Sequence, residues 1–170
     1  MYARIALILL LVLFSGTLAA AAPFDEGVAA FNKGDFTAAA ASFEKASQAM
    51  PRESATWAWL GTTYLRLGRL DQAQQALGRA AELDPQAAEV WNNLGNVRLA
   101  QGQADEAITC YQKALALRPG FADASYNLAN VHLTRSDLPA AITGYRAAIK
   151  SAPDNAAAHH NLAVALQRKG

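Results

Sequence analysis

From residue 23 onward, apolar residues recur at helical spacing with polar residues between them. Trp57, Leu60, Tyr64 and Leu65 share one face of a predicted helix, and Ala73, Ala76, Leu77 and Ala80 share one face of the next. This two-helix pattern returns along the chain at a step of 34 residues. Pro51, Pro85, Pro119 and Pro153 keep that step, as do Ala39, Ala73, Ala107 and Ala141, and Ala46, Ala80, Ala114 and Ala148. Phe43, Leu77, Tyr111 and Tyr145 form a bulky apolar series, and Leu60, Leu94, Leu128 and Leu162 form another. Gly27, Gly61 and Gly95 continue as Ala129 and Ala163, and Trp57 pairs with Trp91. So many coincidences at one period mark an internal repeat.

The punctuation agrees. Gly34, Gly68 and Gly102 fall between the two helices of a unit, where a left-handed residue ends the first helix. Asp35, Asp71, Asp105 and Asp137 fall at or near the start of each second helix, suited to capping and to the helix dipole. Each proline follows a second helix, because the residue before proline avoids the helical region. The units run 20–53, 54–87, 88–121 and 122–155, and 156–170 is one further helix. That last helix reads equally as a polar-ended cap or as the start of an unfinished fifth unit. A single hairpin cannot bury its apolar face alone, so the units are expected to stack.

Unit two reads Trp57-x2-Leu60-Gly61-x2-Tyr64, followed by Ala73, Leu77, Ala80 and Pro85. Unit three has Trp91, Leu94, Gly95, Ala107, Tyr111, Ala114 and Pro119 in the same register. These residues resemble the tetratricopeptide repeat family over essentially all of 23–170. Unit four departs at Ser125 and Ala129, and unit one at Pro23 and Glu26. The resemblance implies an all-α, right-handed α-solenoid of helix-turn-helix repeats. It also implies a concave surface, lined by first helices, that binds extended peptides or partner proteins.

Composition narrows the class further. The chain has 40 alanines, 52% hydrophobic and 17% charged residues, and a net charge of +1. Without residues 1–22, which carry Arg4, the chain is neutral, so no electrostatic footprint for nucleic acid is expected. One cysteine excludes an internal disulfide framework. Residues 1–22 read as a secretory signal peptide: Arg4, an apolar run from Ile5 to Phe14, then Leu18-Ala19-Ala20-Ala21-Ala22 before Pro23. Cleavage after Ala21 or Ala22 is expected, giving a periplasmic or secreted bacterial protein. A membrane is a partner only if this segment stays uncleaved.

No catalytic constellation, cofactor site or metal site is expected. The glycines mark helix turns and form no phosphate-cradling loop. His159 and His160 are adjacent on one helix and point about 100° apart. His132 stands in the register of Tyr64 and reads as a packing residue, and Cys110 reads as a small buried one.

Binding has a clearer candidate. Trp59, Asn93, Asn127 and Asn161 keep the 34-residue step, and Thr62, Asn96 and Asn130 follow three positions on, one turn along the same face. Asparagine is a poor helix former, so five in helix interiors suggest a role as a ladder. A carboxamide donates and accepts, as a peptide backbone does. The ladder is similar to the asparagine-lined groove of O-GlcNAc-transferase-type repeat arrays. By contrast, the carboxylate clamp of chaperone-tail adaptors is not matched. Asn96 and Asn127 fit its asparagines, but Asn92, Ala157 and Asn161 stand where its basic residues belong. The predicted binding set is Trp59, Thr62, Asn92, Asn93, Asn96, Tyr126, Asn127, Asn130 and Asn161, with Leu99 as a further apolar anchor. On this reading, Asn93→Ala with Asn127→Ala abolishes binding and leaves the melting temperature nearly unchanged.

The sequence thus predicts a non-enzymatic exported scaffold or adaptor for a partner protein or extended peptide in cell-envelope assembly. The alternative is the substrate-docking segment of a larger, glycosyltransferase-type enzyme whose catalytic domain lies beyond Gly170. Self-association through the C-terminal helix, with Leu162 and Leu166 exposed, is a further expectation.

Overall fold

The computed structural model describes residues 22–170, and all of its regular structure there is helical. The expectation for residues 1–22 lies, except for Ala22, outside the described residues. The chain divides into two compact units, one ending at Leu83 and the other spanning Asp84–Gly170. No helix among the described residues is long and apolar enough to cross a membrane.

The first unit contains α1 (22–32), α2 (Phe36–Ala49), α3 (Ser54–Arg66) and α4 (Leu70–Leu83). The second contains α5 (Ala88–Ala100), α6 (Ala104–Leu117), α7 (Ala122–Thr134), α8 (Leu138–Ser151) and α9 (Ala156–Lys169). Within each unit, consecutive helices pack as antiparallel hairpins. In the second unit α7 also touches both α5 and α9, so first helices of successive repeats meet.

The 34-residue periodicity becomes a repeated core. Phe43, Leu77, Tyr111 and Tyr145 are completely buried, as are the alanines one turn before and after each. Each such side chain contributes about 1.5–3 kcal/mol by leaving water. The facing small residue is obligatory: a Cβ on Gly27, Gly61 or Gly95 would overlap Phe43, Leu77 or Tyr111 respectively.

The turns between paired helices are built alike four times. The N–H groups of Asp35, Arg69, Gln103 and Asp137 donate to the carbonyls of Ala30, Tyr64, Arg98 and His132 at 2.8–3.0 Å. This closure needs a left-handed residue just before it. Gly34, Gly68 and Gly102 supply it with φ of 80, 71 and 79°, and Ser136 supplies it with φ of 62°.

The aspartates divide in a way their sequence spacing hides. Asp35 and Asp137 cap α2 and α8, accepting from Ala38 N and Ala140 N at 2.9 and 3.3 Å. Asp71 and Asp105 lie two residues later in register, inside the first turn, and do not cap. Asp105 instead accepts from Arg135 at 2.6 Å, which holds its carboxyl below the usual range.

Candidate functional site: an asparagine seam on the first helices

The first helices of the second unit place seven of the nine predicted residues together. Asn127 on α7 donates its amide nitrogen to Asn96 Oδ1 at 3.1 Å and to Asn92 Oδ1 at 3.0 Å, both on α5. Asn92 donates in turn to Asn93 Oδ1 at 3.3 Å. One repeat later, Asn161 on α9 donates to Asn130 Oδ1 at 3.0 Å and to the Tyr126 hydroxyl at 3.2 Å, both on α7. The second bridge copies the first at a 34-residue shift, with Tyr126 in place of Asn92.

Two residues absent from the predicted set complete the bridges, one in each. The Tyr111 hydroxyl on α6 donates to Asn96 Oδ1 at 2.8 Å, and the Tyr145 hydroxyl on α8 donates to Asn130 Oδ1 at 2.7 Å. Sequence reasoning counted both tyrosines only as bulky apolar residues. A usable signal was present. Tyrosine follows asparagine by 15 residues in the two repeats that make the bond, whereas Thr62 and Leu77 stand at those positions in repeat two. Burial pushes both phenols above the ordinary tyrosine range, so they remain neutral donors at physiological pH.

Each bridging carboxamide therefore has one half in use and one half open. The Oδ1 atoms of Asn96 and Asn130 each accept two bonds, while their amino groups have no partner among the described residues. Asn127 and Asn161 are the converse: their amino groups donate twice, and their carbonyls have no partner among the described residues. Asn92 is buried, whereas the other asparagines and Tyr126 are half-buried.

This geometry corrects the expectation for Asn93→Ala with Asn127→Ala. Asn127 holds α7 to α5 with two bonds, so its loss lowers stability as well as altering the face. Beside Asn130, Leu99, Ala104, Val131 and Thr134 line a recess of about 100 Å³, and Leu99 is 39% exposed.

Trp59 and Thr62 belong to the first unit. The Trp59 ring packs between Phe31 and Phe43, with centroids at 5.1 and 5.8 Å, and is half-buried. The Thr62 hydroxyl donates to the Ala58 carbonyl of its own helix at 2.8 Å. Leu162 packs against the core around Tyr145, so of the two leucines on α9 only Leu166 is exposed. Cys110 is half-buried, and burial raises its thiol pKa. His132 Nδ1 lies 3.4 Å from Asp137 Oδ2. Among the described residues, no three acidic, histidine or cysteine side chains cluster as metal ligands would.

Two family models match the chain. Residues 26–124 match the model described as "Cilia and flagella-associated protein 70 C-terminal domain", and residues 93–156 and 126–170 match that described as "Tetratricopeptide repeat". The chain belongs to the tetratricopeptide repeat family, whose fold is an all-α solenoid of helical repeats. Among solved structures, MamA protein is 30% identical with a TM-score of 0.76, over 89% of this chain and 82% of that one. YrrB, described as a TPR protein with an unusual peptide-binding site, is 29% identical with a TM-score of 0.71, over 84% and 73%. MamA from Desulfovibrio magneticus RS-1, at 19% identity and a TM-score of 0.76 over 88% and 85%, shares the fold. No curated protein sequence matches significantly.

Proposed function

We propose that the protein is an exported, non-catalytic scaffold that grips an extended stretch of a partner protein along the asparagine seam. The observation that carries this reading is the half-open state of the seam. The bonds between repeats fix each carboxamide in one orientation, leaving the amino groups of Asn96 and Asn130 and the carbonyls of Asn127 and Asn161 available. An extended backbone offers the complementary carbonyls and N–H groups. Orienting these amides beforehand removes part of the ordering cost of binding. Similarity to YrrB, a repeat protein described as having a peptide-binding site, supports the same reading.

The magnitudes define what else the site needs. Four side-chain hydrogen bonds at about 1 kcal/mol each give about 4 kcal/mol, a millimolar affinity. Micromolar binding needs about 8 kcal/mol. The recess beside Leu99 and Asn130 supplies a place for one small apolar side chain of the partner.

The test uses substitutions that spare the bridges. In Asn96→Asp with Asn130→Asp, each side chain keeps the oxygen that accepts from tyrosine and asparagine and exchanges only its open amino group. Partner capture from envelope extract should fall sharply, with the melting temperature nearly unchanged. Equal capture by both proteins would remove the seam from the binding reading. Fractionation with N-terminal sequencing tests export, and a mature chain beginning at Ala22 or Pro23 is expected.

A further inference from the structure

Given that the seam is the binding site proposed above, its spacing selects the backbone conformation of the chain it holds. Asn96 and Asn130 present their open amino groups one repeat apart, and Asn127 and Asn161 present their open carbonyls one repeat apart. One repeat is one step from first helix to first helix. The Cα atoms of α5 and α7 approach within 8 Å, as do those of α7 and α9, and asparagine amides bond directly across both contacts at 3.0–3.1 Å. Helices in such contact lie about 8–10 Å apart between axes, so equivalent open groups on the seam recur at that step.

A partner backbone meets both bridges only if its own equivalent groups return at the same step. An α-helix does not qualify, because its N–H and C=O groups bond one another. A β-strand has open groups along an edge, but residues facing one side recur at about 6.6–6.8 Å. Over one seam step a strand is out of register by about 1–3 Å, too far for a bond whose heavy atoms must lie within about 3.2 Å. Polyproline II returns every three residues, at about 9.3 Å, with no internal hydrogen bonds and its backbone fully exposed. It fits both the step and the open amides. The recess of about 100 Å³ beside Asn130, lined by Leu99, Ala104, Val131 and Thr134, suits a compact apolar ring such as that of proline, the residue that favours this conformation.

We infer that the seam holds a polyproline II segment of the partner with a three-residue repeat, one proline and two residues that keep their N–H groups. Carbonyls three residues apart accept from the amino groups of Asn96 and Asn130. N–H groups three residues apart donate to the carbonyls of Asn127 and Asn161. Proline has no N–H, so it occupies only those residues whose nitrogens face away from the seam carbonyls. One such ring enters the recess beside Leu99.

Two capped peptides of equal length test the spacing, one repeating Pro-Ala-Ala and the other repeating Pro-Ala. In the first, one register puts an alanine N–H at both seam carbonyls. In the second, nitrogens three residues apart always fall on one proline and one alanine, so one seam carbonyl always lacks its donor. A strand, with its two-residue step, finds both donors in either peptide. The isotopically labelled full chain is titrated with each peptide to about millimolar concentration, and the side-chain amide signals of Asn96, Asn127, Asn130 and Asn161 are followed. The Pro-Ala-Ala peptide should bind at least about fivefold more tightly, equivalent to about 1 kcal/mol, and Asn96→Asp with Asn130→Asp should abolish its shifts. Equal binding, or a preference for the Pro-Ala peptide, overturns the three-residue spacing, and the seam reading stands if the double substitution still removes binding. Absence of saturable shifts with either peptide overturns the polyproline conformation, and partner capture that still depends on Asn96 and Asn130 then keeps the seam reading. Peptide binding that survives the double substitution overturns the seam reading and this inference with it.

Discussion

The two units hold the same register together by different physics. At the position shared by Trp59, Asn93, Asn127 and Asn161, the first unit places an indole and the second places carboxamides. Around Trp59 the first unit builds an aromatic cluster. Phe24 meets Phe43 at 5.7 Å between centroids, Phe31 meets Phe36 at 5.1 Å, and Trp59 joins Phe31 and Phe43. The second unit instead links α5, α7 and α9 by oriented hydrogen bonds that end on Tyr111 and Tyr145. Ring burial is stronger and tolerates small displacements, whereas amide bridges are weaker and fix geometry. The unit built from bridges is the one that leaves half of each bridging amide open.

Breaking the aromatic cluster should have the largest effect. Phe43→Ala empties a completely buried site and removes two ring contacts, lowering stability by about 3–5 kcal/mol. Hydrogen exchange should show faster opening at α1–α3 amides than at α7–α9. Uniform opening would mean that the two units respond as one.

The next effect belongs to the bridges. Asn130→Ala removes the acceptor of two bonds and strands the hydroxyl of the completely buried Tyr145, costing about 2–3 kcal/mol. Tyr145→Phe leaves Asn130 still bonded to Asn161, so about 1 kcal/mol is expected. Urea titration of both variants checks the order. No loss on Tyr145→Phe would show that Tyr145 contributes through packing alone, and equal losses that its hydroxyl bond carries the bridge.

Legibility in the sequence differs between these levels. The repeat, the helix pairs and the glycine turns were readable because each imposes a one-residue constraint repeated at a fixed step. The asparagine ladder was readable for the same reason. Its bonds were not, because they join residues 31 and 35 positions apart on different helices and end on phenols that hydropathy counts as apolar. The packing of Trp59 on Phe43 depends on how α2 packs on α3.

A third effect separates the phenols of the two units at high pH. Burial pushes Tyr64 up to about 12, aided by its bond to Glu44 at 2.6 Å. Below pH 10, tyrosine is protonated in both the folded and unfolded chains, so this group gives no pH dependence. Between pH 10 and about 12, the unfolded chain releases the proton and the folded chain keeps it. Stability therefore falls as pH rises, by about 1.4 kcal/mol per pH unit. Glu44→Gln keeps an acceptor and removes the carboxylate charge, so the fall should begin as before and end at a lower pH. The same limb for Tyr111 and Tyr145, whose partners are neutral amides, should not respond to Glu44→Gln. Denaturation midpoints at stepped alkaline pH read both.

The smallest effect concerns the turns, where the first unit follows the repeat rule and the second departs from it once. Gly34 and Gly68 close their turns without a Cβ, as does Gly102, but Ser136 holds φ of 62° with one. A left-handed conformation costs a side-chain-bearing residue about 1 kcal/mol relative to glycine. Nothing crowds the site, because Ser136 is exposed and a Cβ at Gly102 meets nothing within 4 Å. The strain is therefore one of backbone conformation and not of contact. Ser136→Gly should raise stability by about 1 kcal/mol, and Gly102→Ala should lower it by a similar amount, both read as shifts in the urea midpoint. The signs must be opposite, because both residues precede the same closure, Gln103 N–H to Arg98 and Asp137 N–H to His132. Glycine also stabilises the unfolded chain through its entropy, which reduces the gain at 136 without changing its direction. A loss on Ser136→Gly would show that the serine side chain contributes more to this turn than its strained backbone takes away.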